Sequence, residues 1–176
     1  MVAAIELYFD PATERRLRTL WTALESAGVT TLENHTHRLH RPHLSLAAAD
    51  ELPPEPVAAA LGVLPLGVPL TFHYLALFAG GVLWLGPAPT RALLELHHET
   101  VARLDAAGIP IWPLYRPDGW VPHSTLSMAA RGDAVARAAR LCSDILPLET
   151  TLISAAVVDH SRSQFTPLPA QGRQGW

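Results

Sequence analysis

Two short segments of this chain carry the same pair of reactive groups. Pro42-His43-Leu44-Ser45-Leu46 and Pro122-His123-Ser124-Thr125-Leu126 each place a histidine two residues ahead of a hydroxyl, after proline and before leucine. In an extended strand alternate side chains share a face, so His43 sides with Ser45 and His123 with Thr125. An imidazole titrates near neutrality, so two of them set across a common groove can serve as general base and general acid without a metal. The two hydroxyls add short, neutral donors suited to the oxygens of a phosphate held between them. The chemistry that fits is displacement at phosphorus with the attacking and leaving oxygens roughly in line.

For the two motifs to meet, the chain must fold as a doubled unit, and its sequence reads as one. A shift of 80 positions carries Val2 onto Val82, Leu24 onto Leu104, Gly28 onto Gly108, Pro42-His43 onto Pro122-His123, Ser45 onto Thr125 and Thr71 onto Thr151. Each half reads as a strand, a helix ended by glycine, a Pro-His-x-hydroxyl strand, a second helix and a last strand. The first half supplies a strand at 2–10, a helix opened by Asp10-Pro11, the strand "HLSLA", a short helix at 56–61 and a strand at 70–78. Gly80-Gly81 forms a hairpin turn into "VLWLG". "APTRALLELHHETVARLDAAG", "DAVARAARLCSDIL" and "TLISAAVVD" repeat the pattern. The expected fold is therefore α+β and bilobal. Two antiparallel sheets flanked by helices are related by a pseudo-two-fold axis around a central cleft. The 176 residues form one domain, with lobes at about 2–80 and 82–160 and a flexible tail at 166–176.

Composition narrows the chemistry. All 13 basic residues are arginine, so a lysyl adduct, and with it ATP-dependent ligation through lysine, is excluded. A net charge of −3 provides no global positive field for a long nucleic acid, and a short or single-nucleotide ligand is expected instead. Cys142 shares a helical face with Val135, Ala138 and Ile145 and reads as core. No segment is long enough to span a membrane and no signal pattern opens the chain, so a cytoplasmic, soluble protein is expected.

"PHLSL" and "PHSTL", 80 residues apart in a chain of this length, resemble the paired motifs of the two-histidine (2H) phosphoesterase superfamily, which includes the 2'-5' RNA ligase-like proteins and the cyclic phosphodiesterases. The similarity runs over essentially the whole chain. It implies a bilobal fold with a central cleft. It also implies metal-independent hydrolysis of 2',3'-cyclic phosphates or 2'-5' phosphodiester bonds, in some relatives reversed to join RNA ends without ATP. Carried over, His43 and His123 become the catalytic acid/base pair, and Ser45 and Thr125 the hydroxyls that hold the substrate phosphate. No cofactor and no metal is called for, and the partner is a nucleotide or RNA terminus. Which histidine is the base stays open.

Other residues carry weaker signals. Tyr115, Arg116 and Trp120 lead into the second motif and are candidate substrate contacts, the rings by stacking on a base and Arg116 on a phosphate. The competing reading is a Pro-Asp-Gly turn with aromatics packed beneath it. Arg38 and Arg41 are the corresponding candidates in the first half. His35, His37 and His40 crowd ahead of His43 in a polar loop, and a zinc-dependent hydrolase built on that cluster is one competing function. A binding module that holds a nucleotide or RNA end without turnover is another. His97, His98 and His73 read as structural, the last as partly buried, while His160 or Arg162 is a candidate to reach the mouth of the groove.

Overall fold

The computed structural model describes residues 2–35 and 40–171. In chain order the elements are β1 (Ala3–Phe9), α1 (Pro11–Ser26), β2 (His43–Ala49), α2 (Pro54–Leu61), β3 (Leu64–Pro65), β4 (Val68–Phe78), β5 (Val82–Pro87), α3 (Arg91–Ala106), β6 (Ser124–Ser127), α4 (Asp133–Ser143), β7 (Leu148–Asp159), β8 (Gln164–Leu168) and β9 (Ala170–Gln171). Single 3-10 turns lie at Leu32–Asn34 and Pro113–Tyr115. Several elements recur at the spacing that the sequence suggested. Helices α1 and α3 start and end 80 residues apart, and β4 and β7 start 80 apart. Gly28 and Gly108, with φ of 75° and 68°, take the left-handed conformation that lets each long helix end.

Most strands form one large antiparallel sheet in the order β2-β1-β7-β4-β5-β6, with β8 added along β7. Two separate sheets were expected, but β4 and β7 pair from Val68↔Leu152 to Phe72↔Leu148 and join the halves through continuous hydrogen bonds. Leu70 pairs with Thr150 at the middle of that ladder, and the shift of 80 relates the same two residues. Strand β7 changes partner at Leu152, lying against β4 before it and against β1 after it. A second, two-stranded parallel sheet pairs β3 with β9.

Residues 166–171 of the segment expected to be a flexible tail are structured. Thr166 and Leu168 belong to β8, and Ala170–Gln171 pair with β3. Leu168 is buried in the core, and Phe165 sets its ring 5.8 Å from that of Tyr8. Edge hydrogen bonds together with these apolar contacts outweigh the prolines and glycines that suggested disorder. Residues 172–176 lie outside the described part.

One face of the sheet packs the core and the other carries the polar chemistry. Ile5, Leu7, Leu44, Leu46, Leu83, Leu85 and Leu126 join one buried cluster with Leu17, Trp21 and Leu24 of α1 and Leu93, Leu96 and Leu104 of α3. Strand alternation then turns Glu6, Tyr8, His43 and Ser45 to the opposite face. Asp10 locks the first helix to the sheet. Its Oδ1 accepts from the amides of Ala12 and Thr13 at 3.0 and 2.9 Å, and its Oδ2 from the Thr150 hydroxyl at 2.9 Å. Burial would raise the Asp10 carboxyl, but these bonds outweigh it and hold the group below its ordinary value.

Candidate active site

The two motif strands lie at opposite ends of the sheet order, yet β2 and β6 come into contact. The segment ahead of β6 runs along β2 and fixes that approach. The Trp112 amide donates to the Ala48 carbonyl at 2.8 Å, and the Trp120 indole N–H donates to the Ser45 carbonyl at 3.0 Å. In each motif the histidine and the hydroxyl are half-buried, while Leu44 and Leu46, or Ser124 and Leu126, are buried on the other face. His123 stands just ahead of β6 rather than within it.

The two imidazoles are oriented alike. Nδ1 of His43 lies 2.7 Å from the carbonyl of Arg41, and Nδ1 of His123 lies 2.7 Å from the carbonyl of Val121. A carbonyl can only accept, so each Nδ1 carries the proton, and Nε2 of each ring is the atom left for chemistry. The buried Pro42 and Pro122 precede the rings. Proline fixes its own φ and restricts the residue before it, here the residue whose carbonyl holds the imidazole.

Their surroundings differ. Across the strand from Ser45 stands Glu6, and across from Thr125 stands Trp84. The shift of 80 would make Trp84 the counterpart of Ala4, so the second half pairs β5 with β6 two residues out of step with the first. Beside His43 the wall is therefore polar. Glu6 is 2% exposed, and its Oε1 lies 3.4 Å from His43 Nε2 and 2.7 Å from His160 Nε2. Its Oε2 accepts from the Tyr8 hydroxyl at 2.7 Å. Burial would raise the Glu6 carboxyl, but the facing His43 imidazole and the bonds from His160 and Tyr8 outweigh it and bring the group down to about 2. Burial and the Glu6 charge push the Tyr8 hydroxyl up. Beside His123 the wall is aromatic, with Phe78 and Trp84 meeting its ring edge-to-face at 5.0 and 5.7 Å between ring centres. Burial pulls the His123 imidazole below its ordinary value, the Val121 carbonyl opposes this in part, and the His43 charge adds to it. That last effect reflects the closeness of the two rings.

The remaining candidates take varied positions. Arg41 pairs with Glu14 at 2.7 Å and lies over the Tyr8 ring at 4.3 Å. Tyr115 is hydrogen-bonded to Ser45, with burial raising its hydroxyl above the ordinary phenol value. Arg116 pairs with Asp105 at 2.5 Å on the exposed side of α3. Trp120 is buried against His97, not open to a base, and His97 is buried while His98 is exposed. His73, expected to be partly buried, is exposed, because Phe72 takes the core position beside it. His40 stacks on His160 at 4.6 Å, beside the wall that holds Glu6. His37 and Arg38 lie outside the described residues.

Sequence reasoning missed Glu6, Tyr8 and the aromatic wall of Tyr74, Phe78 and Trp84. One signal was available. Glu6 is the only charged residue in the apolar run "AAIELYF", and a buried carboxylate is rarely placed without partners.

Solved structures share this fold. A crystal structure of a phosphoesterase superposes with a TM-score of 0.59 at 21% identity, over 96% of this chain and 98% of that one. E. coli LigT complexed with ATP gives 0.53 at 19% identity over 97% and 98% of the two chains. LigT complexed with 3'-AMP gives 0.54 at 20% over 94% and 93%. No curated protein matches by sequence. The model of the 2'-5' RNA ligase superfamily matches residues 9–164, and with that span the chain belongs to the 2'-5' RNA ligase superfamily.

Proposed function

We propose that this protein is a metal-independent phosphodiesterase that hydrolyses 2',3'-cyclic phosphates or 2'-5' phosphodiester bonds of nucleotides or RNA ends. His43 and His123 are its acid/base pair, and Ser45 and Thr125 its phosphate-holding hydroxyls. The fold is read as a duplicated, two-lobed unit, of about 2–80 and 82–160, with the substrate in a cleft between the two motifs. The observation that supports the reading is the matched pair of Nδ1–carbonyl contacts at 2.7 Å, which leave the same ring atom, Nε2, of both histidines off the backbone. The LigT structures with ATP and with 3'-AMP support a nucleotide as the partner.

In the forward direction one imidazole takes a proton from water as its oxygen attacks phosphorus. The other donates a proton to the ribose oxygen as the P–O bond breaks. Ser45 and Thr125 donate to the non-bridging oxygens, where charge builds in the transition state. The net charge of −3 and the absence of lysine favour a small or short substrate over a long strand.

The test is a panel of 2',3'-cyclic nucleotides and 2'-5' dinucleotides, with and without chelator, with end-group analysis of the products. Turnover that survives chelator is expected, and His43→Ala and His123→Ala should each cost about 10²–10⁴-fold. Binding without product would favour the nucleotide-binding reading, and loss of turnover on chelation would favour a metallohydrolase.

A further inference from the structure

Nearly matched imidazoles could exchange roles freely, but the residues around them are not matched. We propose that Glu6 breaks their equivalence, acting as a positioning residue that holds His43 as the proton donor and leaves His123 as the proton acceptor. The inference rests on the phosphodiesterase reading and adds a division of labour to it. Glu6 also lies ahead of residues 9–164, the span shared with the superfamily.

The argument is one of charge. Nδ1 of His43 is held by the Arg41 carbonyl at 2.7 Å, and Nε2 stands 3.4 Å from the Glu6 carboxylate. A neutral ring forms no ion pair with that carboxylate, whereas the imidazolium does, so the buried charge of Glu6 favours the protonated ring. Nδ1 of His123 faces the Val121 carbonyl, and among the described residues no carboxylate stands within ion-pair distance of its ring. Phe78 and Trp84 flank it and carry no anionic group to pair with a charged ring. A neutral ring with its lone pair on Nε2 suits that setting, and the desolvation that lowers the His123 titration acts in the same direction.

Glu6 is held for this task from several sides. Tyr8 of its own strand donates to Oε2, and His160, just after β7, lies against Oε1. His43 and Ser45 face it from β2, and the Arg41 guanidinium and the uncharged Tyr115 hydroxyl interact with it at longer range. Arg41 is itself paired with Glu14 of α1, so its charge is partly spent. With 2% exposure the carboxylate acts on His43 through little intervening water.

The step balances as follows for a 2',3'-cyclic phosphate. Water loses a proton to Nε2 of His123 while its oxygen bonds to phosphorus. The bond from phosphorus to one ribose oxygen breaks, and that oxygen takes the proton from Nε2 of His43. The product is a ribose monoester, with His123 charged and His43 neutral. Proton exchange with solvent restores both.

The test compares pH profiles of kcat/KM for the wild-type protein and Glu6→Gln, beside an NMR titration of the histidine ring signals in the wild type. Glu6→Gln should move the alkaline limb to lower pH and leave the acid limb in place. The loss should reach about tenfold at pH 8 for each unit of displacement and be slight at pH 6. In the wild type, His123 should lose its proton at lower pH than His43. A uniform loss with unmoved limbs, or the reverse order of titration, overturns the proposal and leaves the phosphodiesterase reading standing. Wild-type protein inactive on the whole panel overturns the phosphodiesterase reading instead, and the ring titration, repeated on Glu6→Gln, still decides whether Glu6 makes the two histidines unequal. Should Glu6→Gln fail to fold, the wild-type order of titration alone still decides between the two role assignments.

Discussion

Trp120 lies flat on His97, their ring centres 3.9 Å apart and their planes 3° from parallel, while the indole N–H reaches the Ser45 carbonyl at 3.0 Å. His97 Nε2 lies 3.0 Å from the Tyr115 carbonyl, so the stack is pinned at both ends. These contacts join α3, the turn at Pro113–Tyr115 and β2, and so set the distance between the two motifs. Trp120→Ala should cost about 3–5 kcal/mol by emptying a buried aromatic site. Trp120→Phe keeps much of the stacking surface and loses the bond to Ser45, at about 1 kcal/mol. Urea unfolding checks both. A Trp120→Phe protein of unchanged stability with only a raised KM would instead mark Trp120 as a substrate-stacking residue.

Stability should fall on acidification, and two groups of the site act in the same sense. The Glu6 carboxyl titrates near 2 in the folded protein against an ordinary value of 4.5. Its contribution is therefore present above 4.5 and is lost as the pH falls towards 2. His123 resists a proton that the unfolded chain accepts near 6.5, so acidification through that value also favours unfolding. Urea midpoints should decline from pH 5.5 through 4 to 3, and Glu6→Gln should flatten the part below 4.5. Wild-type midpoints independent of pH over this range would contradict both assignments.

Asp10 links helix start to sheet centre, and its loss should be felt in both. Asp10→Ala removes the cap of α1 and leaves the Thr150 hydroxyl without its acceptor, a cost of about 2 kcal/mol or more. Asp10→Asn keeps a good capping oxygen and should lose less. Thermal unfolding of the pair measures the difference, and equal losses would place the main contribution on the carboxylate charge instead of the cap.

The order and type of the main elements were legible because each rests on local signals. Asp10-Pro11 opens a helix, Gly28 and Gly108 close two, and Gly80-Gly81 turns a hairpin. The motif residues were legible because Pro-His-x-hydroxyl recurs at one place in a repeat. The joining of the halves through Leu70 and Thr150 was not, since strand pairing depends on contacts remote in sequence. Nor was the two-residue difference in register that sets Glu6 beside Ser45 but Trp84 beside Thr125. Alignment of the halves by sequence treats them as equal, and that difference is what makes the two walls chemically distinct. Trp120 could be either an open ring or one packed beneath the turn, because a turn rich in aromatics gives no sign of which ring finds a buried partner.

The aromatic wall beside His123 depends on a residue with no side chain. A Cβ placed on Gly86 would stand 2.0 Å from Cε2 of Tyr74, so the Tyr74 ring occupies space that any other residue would claim. Tyr74 in turn meets Trp84 edge-on at 5.9 Å, and Trp84 meets the ring of His123. With 41% of its surface exposed, Tyr74 can swing away instead of forcing the backbone apart. Gly86→Ala should therefore fold, with a loss of about 1–3 kcal/mol from overpacking and the lost ring contact. The same change lets water nearer to Trp84 and His123. The acid limb of the pH profile, set by His123, should consequently move up towards the ordinary imidazole value. A Gly86→Ala protein with wild-type stability and an unmoved acid limb would show that Tyr74 does nothing to shelter His123.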